Sequence, residues 1–264
     1  MIKGVIFDWA GTTIDYGSQA PVTAFRKAFA AADIILTNAE IRQDMGIAKR
    51  DHIHKIFNQL EVQRNWQNRY GRLPLESDEF SVYQDFQELL AKSITEFTAF
   101  KPGLRSCLKY FRESEIQVGT TTGYTRETIE QILPHVAKHG YVPDAIVCPE
   151  DVNGHGRPAP DMIERNMALL KLSDPKTLIK VGDTIMDVAE GQAAGVTTVA
   201  VIEGSSLMGL SKIEFESSSE HQKESLRQNL REQFNAAGAN YVINNLYELP
   251  MLIDVLDKQE VLTN

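Results

Sequence analysis

Val5-Ile6-Phe7-Asp8-Trp9-Ala10-Gly11-Thr12-Thr13 is the stretch on which the reading of this chain turns. An apolar run stops at a carboxylate, then gives way to a small residue and Gly-Thr-Thr. The run is short and does not alternate with polar residues, the pattern of a strand buried on both faces of a parallel sheet. Ligands of open α/β sheets gather at the carboxyl ends of the strands, which puts Asp8 at the rim of a site. A carboxylate there can hold a metal or attack an electrophile. Gly11 permits a tight turn, and Thr12 and Thr13 offer hydroxyls and amides to an anion. Taken alone, the same residues equally describe an Asp that starts a turn after a strand.

Three further strand ends carry matching chemistry. They are Gly119-Thr120-Thr121-Thr122-Gly123, Gly156-Arg157-Pro158, and Val181-Gly182-Asp183-Thr184 with Asp187. Each has a plainer reading by itself: an ordinary turn at Thr122-Gly123, an exposed loop cation at Arg157, a helix N-cap at Asp183-Thr184. Their joint order and helix-sized spacing set those readings aside. The series Asp, Thr, cation, acidic pair resembles the haloacid dehalogenase superfamily of phosphotransferases over nearly the whole chain.

That resemblance implies a set of roles. Asp8 takes the position of the nucleophile that becomes an aspartyl phosphate, a form of covalent catalysis. Asp8, the carbonyl of Ala10 and Asp183 take the positions of the ligands to Mg²⁺, a hard cation suited to oxygen donors. The metal lowers the repulsion between two approaching anions. Thr122 and the amide of Gly123 match the oxygen-binding position. Arg157 stands where many relatives have a lysine, and its fork can grip oxygens bidentately. Asp187, one helical turn after Asp183, orients a metal-bound water or Thr122.

The chain has 264 residues, enough for one domain or for a domain with an insertion. Its 42% apolar content suits an ordinary globular core, and the formal net charge of −9 argues against a broad nucleic-acid surface. No window reaches transmembrane length, and the chain enters a strand at once without a signal-peptide layout, so the expectation is cytoplasmic with no membrane partner. Cys107 and Cys148 lack metal-like spacing and give no support to a disulfide.

From Ser18 to Ala99 no strand signal of any strength occurs. Pro21 opens a helix through about Ala32, and Thr37-Asn38-Ala39-Glu40 has the form of a capping box. Helical patterns cover residues 40–45, 49–60 and 77–97, with a turn at Arg69–Pro74. Strands and helices then alternate to the end of the chain, apart from the polar stretch 214–237, which reads as solvated helix without a motif. The expected architecture is an α/β, Rossmann-like parallel sheet of haloacid dehalogenase type with an inserted helical cap. The core domain is residues 1–17 and 100–264, the cap residues 18–99, with hinges near Tyr16–Pro21 and Phe97–Gly103.

One departure narrows the reaction. Phosphatases of this superfamily carry an acid two positions after the nucleophile, and here that position is Ala10. A methyl group does no acid–base work. In Met45-Gly46-Ile47-Ala48-Lys49-Arg50-Asp51-His52, residues 45, 49 and 52 share a face if the helix is continuous. A lysine beside a histidine can form a Schiff base with a carbonyl once its pKa is lowered. An isolated lysine or histidine is otherwise a solvated or packing residue. Ala10, the Asp15-Tyr16-Gly17 loop, Thr121-Thr122-Gly123-Tyr124-Thr125-Arg126-Glu127 and the 45–52 segment together resemble the phosphonatase branch of the superfamily.

The resemblance implies cleavage of the carbon–phosphorus bond of phosphonoacetaldehyde into acetaldehyde and phosphate, through a Lys49 imine and an Asp8 phosphoenzyme. It implies that His52 moves protons near the imine and that Met45 and Tyr124 wall the aldehyde pocket. Ser18 stands where relatives have a cysteine, a departure that leaves its role open. It also implies a homodimer paired through the caps, for which Phe57, Leu60 and Trp66 supply apolar residues. Phosphate-monoester phosphatases and sugar-phosphate mutases share the fold, and Ala10 is the residue that argues against them.

Overall fold

Every residue of β1 (Gly4–Phe7) is buried, and its neighbours alternate between two apolar layers. Val5 and Phe7 join one hydrophobic cluster, with Phe7 6.0 Å from Phe111 between ring centroids. Ile6 joins another, with Ile163, Leu178 and Val196. This period-two division is what a strand covered on both faces requires. The computed structural model describes residues 1–263, with side chains described through residue 259.

The sheet has six strands in the order β3-β2-β1-β4-β5-β6, and every pairing is parallel. The strands after β1 are β2 (Gln117–Thr121), β3 (Ala145–Val147), β4 (Leu178–Gly182), β5 (Thr197–Val201) and β6 (Tyr241–Ile243). Phe7 lies opposite Thr120 on one side and Val181 on the other. The register therefore brings Asp8, Thr121-Thr122 and Gly182-Asp183 to one edge. The chain winds outward to β3, then returns to β4 on the other side of β1. That reversal is the switch point where open α/β sheets form crevices.

Between β1 and the last helix before β2 is an insert of five helices: α1 (Gln19–Ala31), α2 (Asn38–Arg42), α3 (Lys49–Phe57), α4 (Leu60–Tyr70) and α5 (Glu76–Ser93). Aromatic contacts hold them together. Phe25 stacks on Phe86 at 4.3 Å, and Phe57 lies 5.0 Å from both Phe29 and Trp66. Burying each such ring contributes roughly 1.5–3 kcal/mol. The same hydrophobic cluster continues from Trp66 through Phe25 and Trp9 to Phe7.

The capping box at Thr37 is present: the Glu40 amide donates to the Thr37 hydroxyl at 3.2 Å, and the Thr37 amide to the Glu40 carboxylate at 2.7 Å. Helix α2 nevertheless ends at Arg42, short of Met45. Gly46 takes φ +103, a left-handed conformation that interrupts the helix, and α3 begins afresh at Lys49. The single continuous face expected for Met45, Lys49 and His52 does not exist. Helix α4 is not expected from the sequence, where only a turn at residues 69–74 separates the helical patterns 49–60 and 77–97. Its apolar content is thin, with Val62 and Trp66 alone buried.

The remaining helices are α6 (Leu104–Glu113), α7 (Arg126–Ala137), α8 (Asp161–Leu170), α9 (Ile185–Ala193), α10 (Lys212–Ser217), α11 (Glu220–Ala236) and α12 (Leu249–Thr263). The stretch read as one solvated helix is two, split at Ser218-Ser219. Both halves start at capping boxes, Ser211 with Glu214 and Ser219 with Gln222. Phe215, Leu230 and Phe234 bury their side chains against Val188, Ala200 and Ile202. Among the described residues no helix is long and apolar enough to cross a membrane. Cys107 and Cys148 are free and buried.

Candidate active site

Asp8 leaves β1 with its amide donating to the Val181 carbonyl at 2.9 Å, which continues the sheet pairing by one residue. The chain then folds back tightly, with the amides of Thr12, Thr13 and Ile14 all reaching the Trp9 carbonyl. Gly11 sits at φ +86, and a Cβ there would lie 2.1 Å from Asp183 Oδ2. Only glycine allows this loop to close against the carboxylate of the neighbouring strand end.

Arg157 spans the buried floor of the site. Its Nη1 lies 2.8 Å from Asp8 Oδ1 and 3.1 Å from Asp187 Oδ1, and its Nε lies 2.9 Å from Glu190 Oε2. Its Nη2 donates to the Thr121 hydroxyl at 2.8 Å. Lys180, from the middle of β4, approaches the same partners: Thr121 Oγ1 at 2.6 Å, Glu190 Oε2 at 2.9 Å and Asp187 Oδ1 at 3.0 Å. Sequence reasoning missed Lys180 and Glu190. A lysine between Ile179 and Val181, and a glutamate in a helix, look like surface residues until their partners are known.

The charges act on one another. Burial raises the pKa of Asp8, with Asp187 adding to the rise and Arg157 opposing it. Burial likewise pushes Asp183 up to about 7, reinforced by the charges of Asp8 and Asp187. Burial works against ionised Asp187 too, but Arg157 and Lys180 outweigh it and hold that carboxyl below its ordinary value. Burial disfavours the Arg157 cation, yet Asp187, Glu190 and Asp8 more than compensate.

Asp183 differs from its neighbours in its company. Its Oδ1 accepts from the Thr12 hydroxyl at 3.1 Å and its Oδ2 from the Ser206 amide at 2.6 Å. One carboxylate oxygen from each of Asp8, Asp183 and Asp187 falls within 4.8 Å of the others. Buried carboxylates that raise one another's pKa, offering hard oxygen donors, fit a divalent cation. Asp8 and Asp183 would hold it. Asp187 is committed elsewhere: its Oδ2 caps Thr184, at 2.6 Å from the hydroxyl and 3.1 Å from the amide, while its Oδ1 faces Arg157 and Lys180.

Above this floor is a small, tightly lined cavity. Nine of the residues expected from sequence line it: Asp8, Ala10, Met45, Lys49, Thr122, Gly123, Tyr124, Arg157 and Asp183. The helical insert closes the roof. A Cβ on Gly123 would lie 2.3 Å from the Ile47 carbonyl oxygen, so the insert's backbone passes directly over this glycine. Arg157 Nη1 also donates to the Gly46 carbonyl at 3.2 Å. Thr122 accepts from the Tyr124 amide at 3.0 Å, which fixes the turn after β2.

Lys49 is buried, with Nζ 5.3 Å from the centroid of the Tyr124 ring. Burial lowers its pKa to about 8, against the pull of Asp8 and with the help of Arg157. Tyr124 is buried with its hydroxyl unpartnered, and its pKa stands well above the ordinary value because of that burial.

Three expected residues stand outside the cavity lining. His52 packs its ring 4.4 Å from Phe25 and directs Nε2 to the Ile41 carbonyl at 2.8 Å. A carbonyl can only accept, so Nε2 carries the proton. Burial, with Lys49 adding to it, pushes His52 down to about 3. Such an imidazole stays neutral near pH 7, and the geometry gives the expected proton carrier no support. Ser18 directs its hydroxyl to that of Ser206 at 2.5 Å, behind the Gly11 turn. Ser206 itself lines the cavity and had no sequence signal beyond a Gly-Ser-Ser loop. Asp187 is the third, buried beneath Arg157.

A parallel sheet with this switch point, a helical insert over it and an acidic, arginine-floored rim defines a haloacid dehalogenase-like hydrolase. The family model of that description matches residues 5–201, and a second, of haloacid dehalogenase hydrolase-like proteins, matches residues 154–249. Among curated relatives, the phosphonoacetaldehyde hydrolase of Lactiplantibacillus plantarum is 43% identical, covering 97% of each chain. That of Latilactobacillus sakei is 42% identical over 96% of this chain and 95% of its own. The crystal structure of a phosphonoacetaldehyde hydrolase-like protein from Oleispira antarctica superposes with a TM-score of 0.95, at 31% identity, over 98% of this chain and 93% of that one. The chain belongs to the phosphonoacetaldehyde hydrolase family.

Proposed function

We propose that this enzyme hydrolyses the carbon–phosphorus bond of phosphonoacetaldehyde, giving acetaldehyde and phosphate. The observation that carries the reading is that Lys49 from the insert and Asp8 from the sheet line one small cavity, with Ala10 in place of a general acid. Its members' names and the likeness over the full chain support the substrate.

A carbon leaving group has no oxygen to protonate, and expulsion as an enolate carbanion is slow. Lys49 supplies the alternative. With its pKa near 8, roughly one amine in ten is neutral at pH 7. The neutral amine adds to the aldehyde carbon, the adduct takes up a proton from solvent and water leaves, giving an iminium. Asp8 then attacks phosphorus, the carbon–phosphorus electron pair moves into the iminium, and an enamine departs. Protonation of the enamine carbon and hydrolysis of the imine release acetaldehyde and free Lys49. Water attacks the aspartyl phosphate and releases phosphate.

Asp8, Asp183 and the Ala10 carbonyl would hold Mg²⁺, which would supply charge neutralisation between carboxylate and phosphonate. Arg157, Thr122 and the Gly123 amide bind the phosphoryl oxygens, and Met45 and Tyr124 enclose the aldehyde. Residues 18–99 act as a cap domain on a core of residues 1–17 and 100–264, so that closure assembles the two reacting groups and excludes water.

Borohydride with phosphonoacetaldehyde is expected to trap a stable adduct on Lys49, and Lys49→Arg to abolish acetaldehyde release while the fold remains. Near-normal turnover in Lys49→Arg would end the imine mechanism. Rapid hydrolysis of several phosphate monoesters without phosphonoacetaldehyde cleavage would favour a phosphatase instead.

We also propose a homodimer paired through the cap. Phe57 and Trp66, two of the apolar residues expected to serve it, are buried inside the insert. Leu60, 81% exposed, remains available, and Leu73, Leu75 and Phe80 are exposed on the same insert. Leu60→Asp is expected to shift the sedimentation coefficient toward that of a monomer.

A further inference from the structure

Arg42, the last residue of α2, reaches out of the insert to the loop that follows β5. Its Nη1 donates to the Ser206 carbonyl at 2.9 Å and its Nη2 to the Gly209 carbonyl at 3.3 Å. The amide on the other side of the Ser206 α-carbon donates to Asp183 Oδ2 at 2.6 Å. The Ser206 hydroxyl meets Ser18 at 2.5 Å, at the chain's passage from core to insert. Two hydrogen bonds flanking one α-carbon thus join a cap guanidinium to a carboxylate proposed to hold metal. Ser206 is buried and lines the cavity, so the loop has little room to move independently.

We infer that Arg42 is a positioning residue that couples cap closure to metal binding, by holding the Ser206 amide on Asp183. With the cap open, Arg42 leaves the loop and the Ser206 backbone loses its anchor. Asp183 can then rotate away from the direction set by Thr12 and Ser206. With the cap closed, both oxygens of Asp183 are restrained before the cation arrives. The coupling is reciprocal by thermodynamic necessity: metal bound at Asp183 favours the closed cap by the factor by which closure tightens the metal. The inference rests on the proposed role of Asp183 and is independent of the imine at Lys49.

Mg²⁺ titrated calorimetrically into the metal-free full-length protein tests it. Arg42→Met is expected to weaken Mg²⁺ about five- to tenfold, within the ordinary range of such couplings. Arg42→Lys, which keeps a cation and a donor, is expected to recover part of the loss. The thermal midpoint of the metal-free protein is expected to stay within about 2 °C of wild type, since methionine keeps the apolar stem of this half-buried side chain packed. Wild-type Mg²⁺ affinity in Arg42→Met would overturn the inference. So would a loss that accompanies a lowered metal-free midpoint and is not relieved by lysine, because that describes a structural residue. Unchanged Mg²⁺ affinity in Asp183→Asn would instead remove the ligand assignment beneath it.

Discussion

At the scale of single residues, burial sets the chemistry. Lys49 has a pKa near 8 in the fold and an ordinary value of 10.5 when unfolded. The unfolded chain therefore holds this proton more tightly, and stability rises as pH climbs from about 8 toward 10.5. Below pH 8 the buried ammonium is a burden on the folded state. Lys49→Met is accordingly expected to raise the unfolding free energy at pH 7 by about 1–3 kcal/mol while eliminating turnover, the stability–activity trade-off of a strained active site. Urea denaturation of both proteins checks this. In the wild-type enzyme the same group predicts a kcat/KM that rises with pH and levels off above about 8. His52 gives the opposite expectation. His52→Gln keeps a donor for the Ile41 carbonyl but loses the ring contact with Phe25. It is expected to cost about 1–2 kcal/mol of stability and to leave the shape of the pH–rate profile unmoved. A lost limb of that profile would restore His52 as a proton carrier.

At the scale of elements, the α10–α11 stretch shows where local signals were enough and where they were not. Ser219 receives the Gln222 amide at 3.3 Å and returns its own amide to the Gln222 side chain at 2.9 Å. Ser219→Ala is expected to lower stability by about 1 kcal/mol, read from the thermal midpoint, with catalysis unchanged, since Ser219 is no part of the cavity. The Ser-x-x-Gln pattern is present in the sequence but is masked by a run of three serines, any of which could start the helix. β1 was legible for a stronger reason: four consecutive apolar or glycine positions ending in Asp8 admit few structures, and the later strand ends repeat the logic. Helix α4 was not, because two buried residues in eleven set no clear period. Lys180 and Glu190 were beyond any local reading. Each is intelligible only beside the other, together with Thr121 and Arg157, and those four come from three different parts of the chain. The interrupted helix before Lys49 was signalled by Gly46, yet spacing alone could not tell a kink from a break.

At the scale of the whole molecule, the proposed mechanism requires the insert to approach the sheet closely, and Gly123 reports on that distance. Its backbone lies outside the left-handed region, so alanine fits there without strain of its own. The added Cβ would nevertheless stand 2.3 Å from the Ile47 carbonyl oxygen, well inside contact distance. Backbone faces it, so no side chain can swing aside, and the two units must part by about 1 Å. Displacements of that size between reacting groups cost about a hundredfold in rate. Gly123→Ala is therefore expected to lower kcat/KM for phosphonoacetaldehyde by about 100-fold and to slow borohydride trapping at Lys49. The Gly123 amide survives the substitution, so phosphate binding to the open core is expected to persist. The thermal midpoint is expected to hold, because the strain is relieved by opening and not by unfolding. Normal kcat/KM in Gly123→Ala would mean that catalysis does not need the insert this close. The joint use of Asp8 and Lys49 on one small substrate would then have to be given up.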